Sequence, residues 1–143
     1  MRELTLNDLD IRVYRKKHPY DEERVVILDR YEDVLSKILT DKTIEVKSER
    51  EIWKTTGNIA IEYMSRGKLS GIATTEADWW AHLLIDGDNI HGIIMLPVPE
   101  LKSKIKKMKK LGIAQEKAGG DDDTSRLVLL PITQIFHTEG ELI

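Results

Sequence analysis

The 143-residue chain contains no cysteine. Disulfides, zinc–thiolate centres, iron–sulfur clusters and cysteine nucleophiles are therefore excluded, and the absence suits a reducing compartment. No apolar run approaches the ~18 residues that suggest a membrane span. The opening Met1-Arg2-Glu3-Leu4 carries an acid early and leads into no signal-type apolar stretch. A soluble, cytoplasmic protein without a membrane partner is expected. Internal repeats and low-complexity linkers are also lacking, so the whole length, 1–143, reads as a single domain with a core of ordinary size.

What the chain has in quantity is charge. Charged residues make up 33% and apolar residues 41%, for a net charge of −3. The charges are sorted: Lys102, Lys104, Lys106, Lys107, Lys109 and Lys110 crowd one stretch, and Asp121, Asp122 and Asp123 another. An acidic balance counts mildly against nucleic acid. It suits an enzyme that holds a metal with acids and phosphate with bases.

Apolar periodicity divides the chain coarsely. Residues 1–23 are poorly defined: the first ~20 are read as helix on their Thr5, Asn7 and Asp8 start signals, although their apolar spacing is ambiguous, and Pro19 ends whatever forms there. Arg24–Leu28 is β-rich. Tyr31–Leu39 fits strand or helix on propensity. Thr40-Asp41-Lys42-Thr43 reads as a turn, and Ile44–Glu49 alternates strictly between apolar and polar. Two strands about a short turn predict a hairpin of 31–39 with 44–49. Further strands are expected at Ile59–Met64, His91–Leu96 and Leu127–Ile132, with a glycine-bearing loop at Arg66–Gly71. Thr74 and Thr75 can cap a helix over residues 76–84, and Val98–Leu111 reads as a lysine-rich amphipathic helix ending near Gly112. Residues 117–126 read as an acidic loop. The sum is α/β: a mixed central β-sheet flanked by helices.

Strand alternation puts Glu45 and Lys47 on one face and Ile44 and Val46 on the other. Glu-x-Lys on an amphipathic strand is commonly just a solvated face. The expected hairpin, however, would fold Asp33 towards Glu45. Two carboxylates and an intervening backbone carbonyl offer the hard oxygen ligands that Mg²⁺ takes. A metal there lowers the pKa of a bound water and stabilises a leaving oxygen, and Lys47 is placed to position that water or offset developing charge.

Ile44-Glu45-Val46-Lys47, with an acid on a neighbouring strand, resembles the active-site motif of the PD-(D/E)XK nuclease superfamily. The following segments, Thr56–Tyr63, Ser65–Ile72 and Thr75–Trp80, resemble a pattern in small phage and bacterial proteins of that superfamily, described as Holliday-junction-resolvase-like or restriction-endonuclease-like. The resemblance spans roughly residues 31–136. It implies a restriction-endonuclease-like fold and a Mg²⁺-dependent DNA endonuclease, with Mn²⁺ able to substitute. It further implies a recombination or repair role, plausibly phage-encoded and acting in the host cytoplasm, and a homodimer on branched DNA. The family's metal-binding Asp falls on Asp33, preceded by Glu32 rather than proline, and its (D/E)-x-K on Glu45 and Lys47. The acid that many members supply from a first helix has candidates in Glu22 and Glu23. Asp29 and Asp41 compete with Asp33, although Asp41 suits the turn. The alternative is a non-catalytic nucleic-acid-binding or assembly protein on the same fold.

Several other residues have two uses. Glu62 is either a further acid on the catalytic side or a hydrogen-bonded edge residue. Arg66, Lys68 and Ser70 form either a phosphate-contacting loop or an ordinary turn. Of the adjacent Trp79 and Trp80, at least one belongs in the core; the other could stack on a base. Lys104 and Lys107 lie in a cationic stretch that either contacts the DNA backbone or is simply solvated. Asp121–Asp123 reads as a solvated loop, and His18, His82, His91 and His137 show no metal-ligand spacing, which leaves them structural or on the surface.

Overall fold

The computed structural model describes residues 36–120 and 122–137. The chain divides into two units, Met1–Lys42 and Thr43–Ile143. Of the first unit, residues 36–39 are helical, closed by the Thr40 amide donating to the Ser36 carbonyl at 3.1 Å. The strand expected at 31–39 is corrected over this part. Asp41 follows in a turn with φ 57°, a conformation that Asp tolerates better than most residues.

The second unit contains two sheets. The first is mixed, in the order β1-β4-β5: β1 (Ile44–Glu49) runs parallel to β4 (Trp79–Asp86), and β4 antiparallel to β5 (Asn89–Pro97). The second is antiparallel, in the order β3-β2-β7-β6, built from β2 (Asn58–Ser65), β3 (Lys68–Leu69), β6 (Gln115–Gly119) and β7 (Ser125–Pro131). Among the described residues two α-helices complete it: the short α1 (Ile52–Thr56) and α2 (Val98–Lys110). The expected α/β class holds; a single central sheet does not, because the strands split into two sheets.

Three local expectations are corrected. Residues 79–86 form a strand, not part of a helix over 76–84. Trp80, Ala81 and His82 are buried in succession because β4 lies between β1 and β5, and the apolar–polar alternation that marks a half-exposed strand is missing. The hairpin of 31–39 with 44–49 is replaced by the parallel pairing of β1 with β4, Ile44 opposite Trp79 and Lys47 opposite His82. Residues 115–119, partly assigned to an acidic loop, form β6 against β7.

Asp78 sets the parallel register. Its Oδ2 accepts from the Thr43 amide at 3.0 Å and the Thr43 hydroxyl at 3.2 Å, and its carbonyl accepts from the Val98 amide at 2.9 Å. One residue thus joins the starts of β1 and β4 to the end of β5. In α2, Pro99 and Glu100 occupy the first turn and Lys107, Lys109 and Lys110 the last, each suited to its end of the helix dipole. Val98, Leu101 and Met108 turn inward. They share one core with Ile59 and Ile61 of β2, Trp80 and Leu84 of β4, Ile94 and Leu96 of β5, and Val128 and Leu130 of β7. Among the described residues, no helix is long and apolar enough to cross a membrane.

Candidate functional site

β1 is inverted relative to a simple amphipathic strand. The register places Glu45, Lys47 and Glu49 on the face shared with Trp80, His82 and Leu84, all three buried residues of β4. Ile44 and Val46 face the opposite way, where Val46 is 56% exposed. The polar edge of the strand is therefore turned inward and the apolar edge outward. Burying the Glu49 carboxylate while an isoleucine and a valine stay exposed opposes the hydrophobic effect, and such local violations concentrate at functional sites.

Beside that polar face lies a cleft of about 370 Å³, lined by Val46, Lys47, Ser48, Ala60, Glu62, Trp80, His82 and Leu127. It lies within the size range of small-molecule pockets. Lys47 Nζ sits 3.0 Å from Glu45 Oε1, both side chains partly open to solvent. Glu62, on β2, accepts hydrogen bonds from two hydroxyls: Ser125 Oγ donates to Oε1 at 2.7 Å and Ser70 Oγ to Oε2 at 3.0 Å. Its carboxylate is held in orientation by neutral donors and remains available to a cation.

Deeper in the cleft is a chain of buried polar groups. The Trp80 indole Nε1–H donates to His82 Nδ1 at 3.1 Å. An indole nitrogen can only donate, so Nδ1 accepts and the ring hydrogen sits on Nε2. Nε2–H in turn donates to Glu49 Oε1 at 3.0 Å. The same Glu49 oxygen accepts from the Ala60 amide of β2. His82 is 1% exposed and Glu49 9%.

The residues expected to form a site are distributed as follows. Lys47 and Glu62 line one cleft, and Glu45 is paired to Lys47. Asp33, Glu22, Glu23 and Asp29 lie outside the described residues. Among those described, no three His, Cys, Asp or Glu side chains converge as a metal cluster. The 66–70 segment is a tight hairpin between β2 and β3. Arg66 and Gly67 both take positive φ, 51° and 77°, the signature of a two-residue hairpin turn of type I′. Within it Lys68 pairs with Ser65, while Ser70 is bonded to Glu62. Of the two lysines expected on DNA, Lys104 is half-buried and its Nζ donates to the His137 carbonyl at 3.1 Å. Lys107 is also half-buried; Lys102, Lys106, Lys109 and Lys110 carry the exposed charge of α2. Lys109 is paired with Glu116 at 2.6 Å, and that ammonium holds the Glu116 carboxyl below its usual value.

Sequence reasoning missed Glu49 and His82. A signal was present, since Glu49 continues the alternation of Glu45 and Lys47. Its significance depends on the pairing of β1 with β4, more than thirty residues downstream. No family model, no curated protein and no solved structure matches the chain.

Proposed function

We propose that this chain is a metal-dependent DNA endonuclease of the PD-(D/E)XK type, with a restriction-endonuclease-like core, and that Glu45, Lys47 and Glu62 belong to its catalytic centre. The observation that carries the proposal is the inward turn of the polar face of β1, which sets Lys47, paired with Glu45, at a cleft that also holds the oriented carboxylate of Glu62. The donor set fits Mg²⁺ or Mn²⁺: carboxylate oxygens are hard ligands, and Mg²⁺ uses only one or two of them while keeping several waters. Glu45 and Glu62 would hold the ion. When bound, the metal supplies a water of lowered pKa and Lewis-acid polarisation of the scissile phosphate.

The chain's own residues do the rest. Lys47 brings a cation to the cleft, where it orients the attacking water and offsets charge developing on the phosphoryl oxygens. Ser70 and Ser125 hold the Glu62 carboxylate in place, so that no reorganisation is needed during reaction. Trp80 and Leu127 give the cleft apolar walls, which strengthen these interactions by excluding water. Exposed lysines of α2 contact the phosphate backbone away from the scissile bond.

The test is cleavage of linear, branched and single-stranded DNA with Mg²⁺ or Mn²⁺ by the wild type, Glu45→Ala and Lys47→Ala. Metal-dependent cutting that both substitutions abolish is expected. The Glu45–Lys47 pair is partly exposed, so losing it changes stability by less than about 1 kcal/mol. Inactive variants will therefore still be folded. A wild type that binds DNA but cuts no substrate sinks the proposal.

The second reading, a non-catalytic assembly protein on this fold, is favoured by one feature. The outer face of the β1-β4-β5 sheet presents Ile44, Val46 and Ile93 to solvent, Ile93 at 57% exposure. Contiguous exposed apolar surface marks interaction sites, and the same face supports a homodimer under either reading.

A further inference from the structure

The buried polar chain behind the cleft plays no part in the chemistry proposed above. It is costly to build. A carboxylate and an imidazole removed from water are tolerated only when hydrogen-bonded, and here each is. It also spans the two sheets. Glu49 belongs to β1 of the mixed sheet, and its acceptor oxygen reaches the Ala60 amide of β2 in the antiparallel sheet. Ala60 lies beyond the reach of two-residue β3, which pairs only with Met64 and Ser65. Its amide therefore has Glu49 where a neighbouring strand would otherwise supply an acceptor.

The spacing gives the connection its consequence. Lys47 is two residues before Glu49 on the same face of β1, and Glu62 is two residues after Ala60 on the same face of β2. Two residues along a strand are one side-chain repeat, about 6.7 Å. The joint between the sheets thus lies one repeat from Lys47 on one wall and one repeat from Glu62 on the other, and both line the cleft. Trp80 and His82 lock the joint from the β4 side: the two rings stand 6.4 Å apart at 16°, and the indole bond fixes which imidazole nitrogen donates to Glu49.

We propose that Trp80, His82 and Glu49 form a positioning clamp that pins edge strand β1 to β2 and thereby fixes Lys47 relative to Glu62. The catalytic consequence rests on the nuclease reading; the geometric one does not. None of the three residues contacts the scissile phosphate on this account. They act through Lys47 and Glu62.

Because the chain has no cysteine, a Lys47→Cys/Glu62→Cys pair carrying nitroxide labels reports the cleft width alone, by continuous-wave electron paramagnetic resonance. The labelled pair is placed in otherwise wild-type, Glu49→Gln, Glu49→Ala and Trp80→Phe backgrounds. The glutamine amide oxygen can accept both N–H groups, so Glu49→Gln keeps one narrow separation. Glu49→Ala broadens it. Trp80→Phe removes the donor to Nδ1 together with part of a ring packed in the core but leaves the Glu49 bonds, so it gives a lesser broadening and serves if Glu49→Ala does not fold.

In parallel, kcat and KM for metal-dependent cleavage are measured without labels. Misplacement of about 1 Å costs about 100-fold in rate. Glu49→Ala is therefore expected to lower kcat about 10- to 100-fold with KM nearly unchanged, and Glu49→Gln to restore most of it. A narrow separation in folded Glu49→Ala, or in folded Trp80→Phe where Glu49→Ala does not fold, overturns the clamp. A broadened separation with wild-type kcat overturns its role in catalysis. If the wild type cuts nothing while Glu49→Ala still broadens the separation, the nuclease reading falls and the clamp stands.

Discussion

Gly71 offers a measurement in which strain and collision can be separated. It lies just after β3, at φ +52°, and a Cβ built on it would stand 2.1 Å from the Glu62 carbonyl oxygen and 2.9 Å from the carbonyl carbon. Both are backbone atoms of β2, so no rotamer change relieves the contact. Gly67, a few residues earlier, has φ +77° with nothing within 4 Å of the same construction. Alanine at either position incurs the left-handed penalty of about 1–2 kcal/mol, partly offset by the lower entropy of the unfolded chain. Only Gly71→Ala adds overpacking, about 1–3 kcal/mol. The expected losses are about 1 kcal/mol for Gly67→Ala and about 3 kcal/mol for Gly71→Ala. For a folded unit of this size they correspond to falls in Tm of roughly 4 °C and roughly 12 °C. Urea denaturation followed by circular dichroism gives the free energies directly. The same displacement draws Ser70 away from Glu62, so on the proposed nuclease reading DNA cleavage by Gly71→Ala should fall more than its stability accounts for. Equal destabilisation by the two substitutions would refute the close approach of Gly71 to β2.

Two further outcomes are expected. The Glu51 carboxyl is held below its ordinary value near 4.5 by hydrogen bonds from its own backbone amide and from that of Gly87. A group depressed in the folded state contributes stability above its unfolded pKa and loses it as pH falls through the folded value. Glu51→Gln should therefore reduce stability at pH 7 but not at pH 2, and a difference that persists unchanged at pH 2 contradicts the assignment. On the proposed nuclease reading, Lys102→Ala/Lys106→Ala on α2 should weaken DNA binding and flatten the dependence of log affinity on log salt by about 2 units. Lys104→Ala, whose ammonium already serves the His137 carbonyl, should change the slope much less, as titration by fluorescence anisotropy at several salt concentrations will show.

Legibility in the sequence followed the locality of the forces. β1, β2, β5, β7 and α2 were visible because each carries its own period and its own stop signals, such as Pro97 and Pro99 at the junction of β5 and α2. β4 was not. Its alanine, leucines and capping threonines favour helix, and only burial between β1 and β5 makes it a strand. The partner of β1 was lost for the same reason: a turn at residues 40–43 is a local signal, whereas parallel pairing with β4 is not. At the site, the Glu-x-Lys pair and Glu62 could be named in advance, since alternation alone assigns their faces. Glu49 and His82 could not, because two ionisable residues far apart in sequence become a buried pair only through the parallel register. The same holds for Asp78, which looks like an ordinary helix-start acid until Thr43 is brought to it.

The interleaving of the two sheets has a kinetic consequence. β2 and β3 lie between the paired strands β1 and β4 in the chain, and β2 waits for β7, with Asn58 opposite Pro131. The β4–β5 and β6–β7 hairpins can form locally, but neither sheet can be completed by a contiguous stretch of polypeptide, and joining β1 to β4 and β2 to β7 requires long loops to close. Such a unit is expected to fold slowly and in one cooperative step. A nascent chain that has emerged only as far as α2 would have the mixed sheet's strands but lack β7, the central partner of the other sheet. Until the final strand arrives, Ile59 and Ile61 have no Val128 or Leu130 to pack against. The growing chain therefore carries that apolar surface exposed from the emergence of β2 to that of β7, and shielding by a chaperone over this interval should raise its yield.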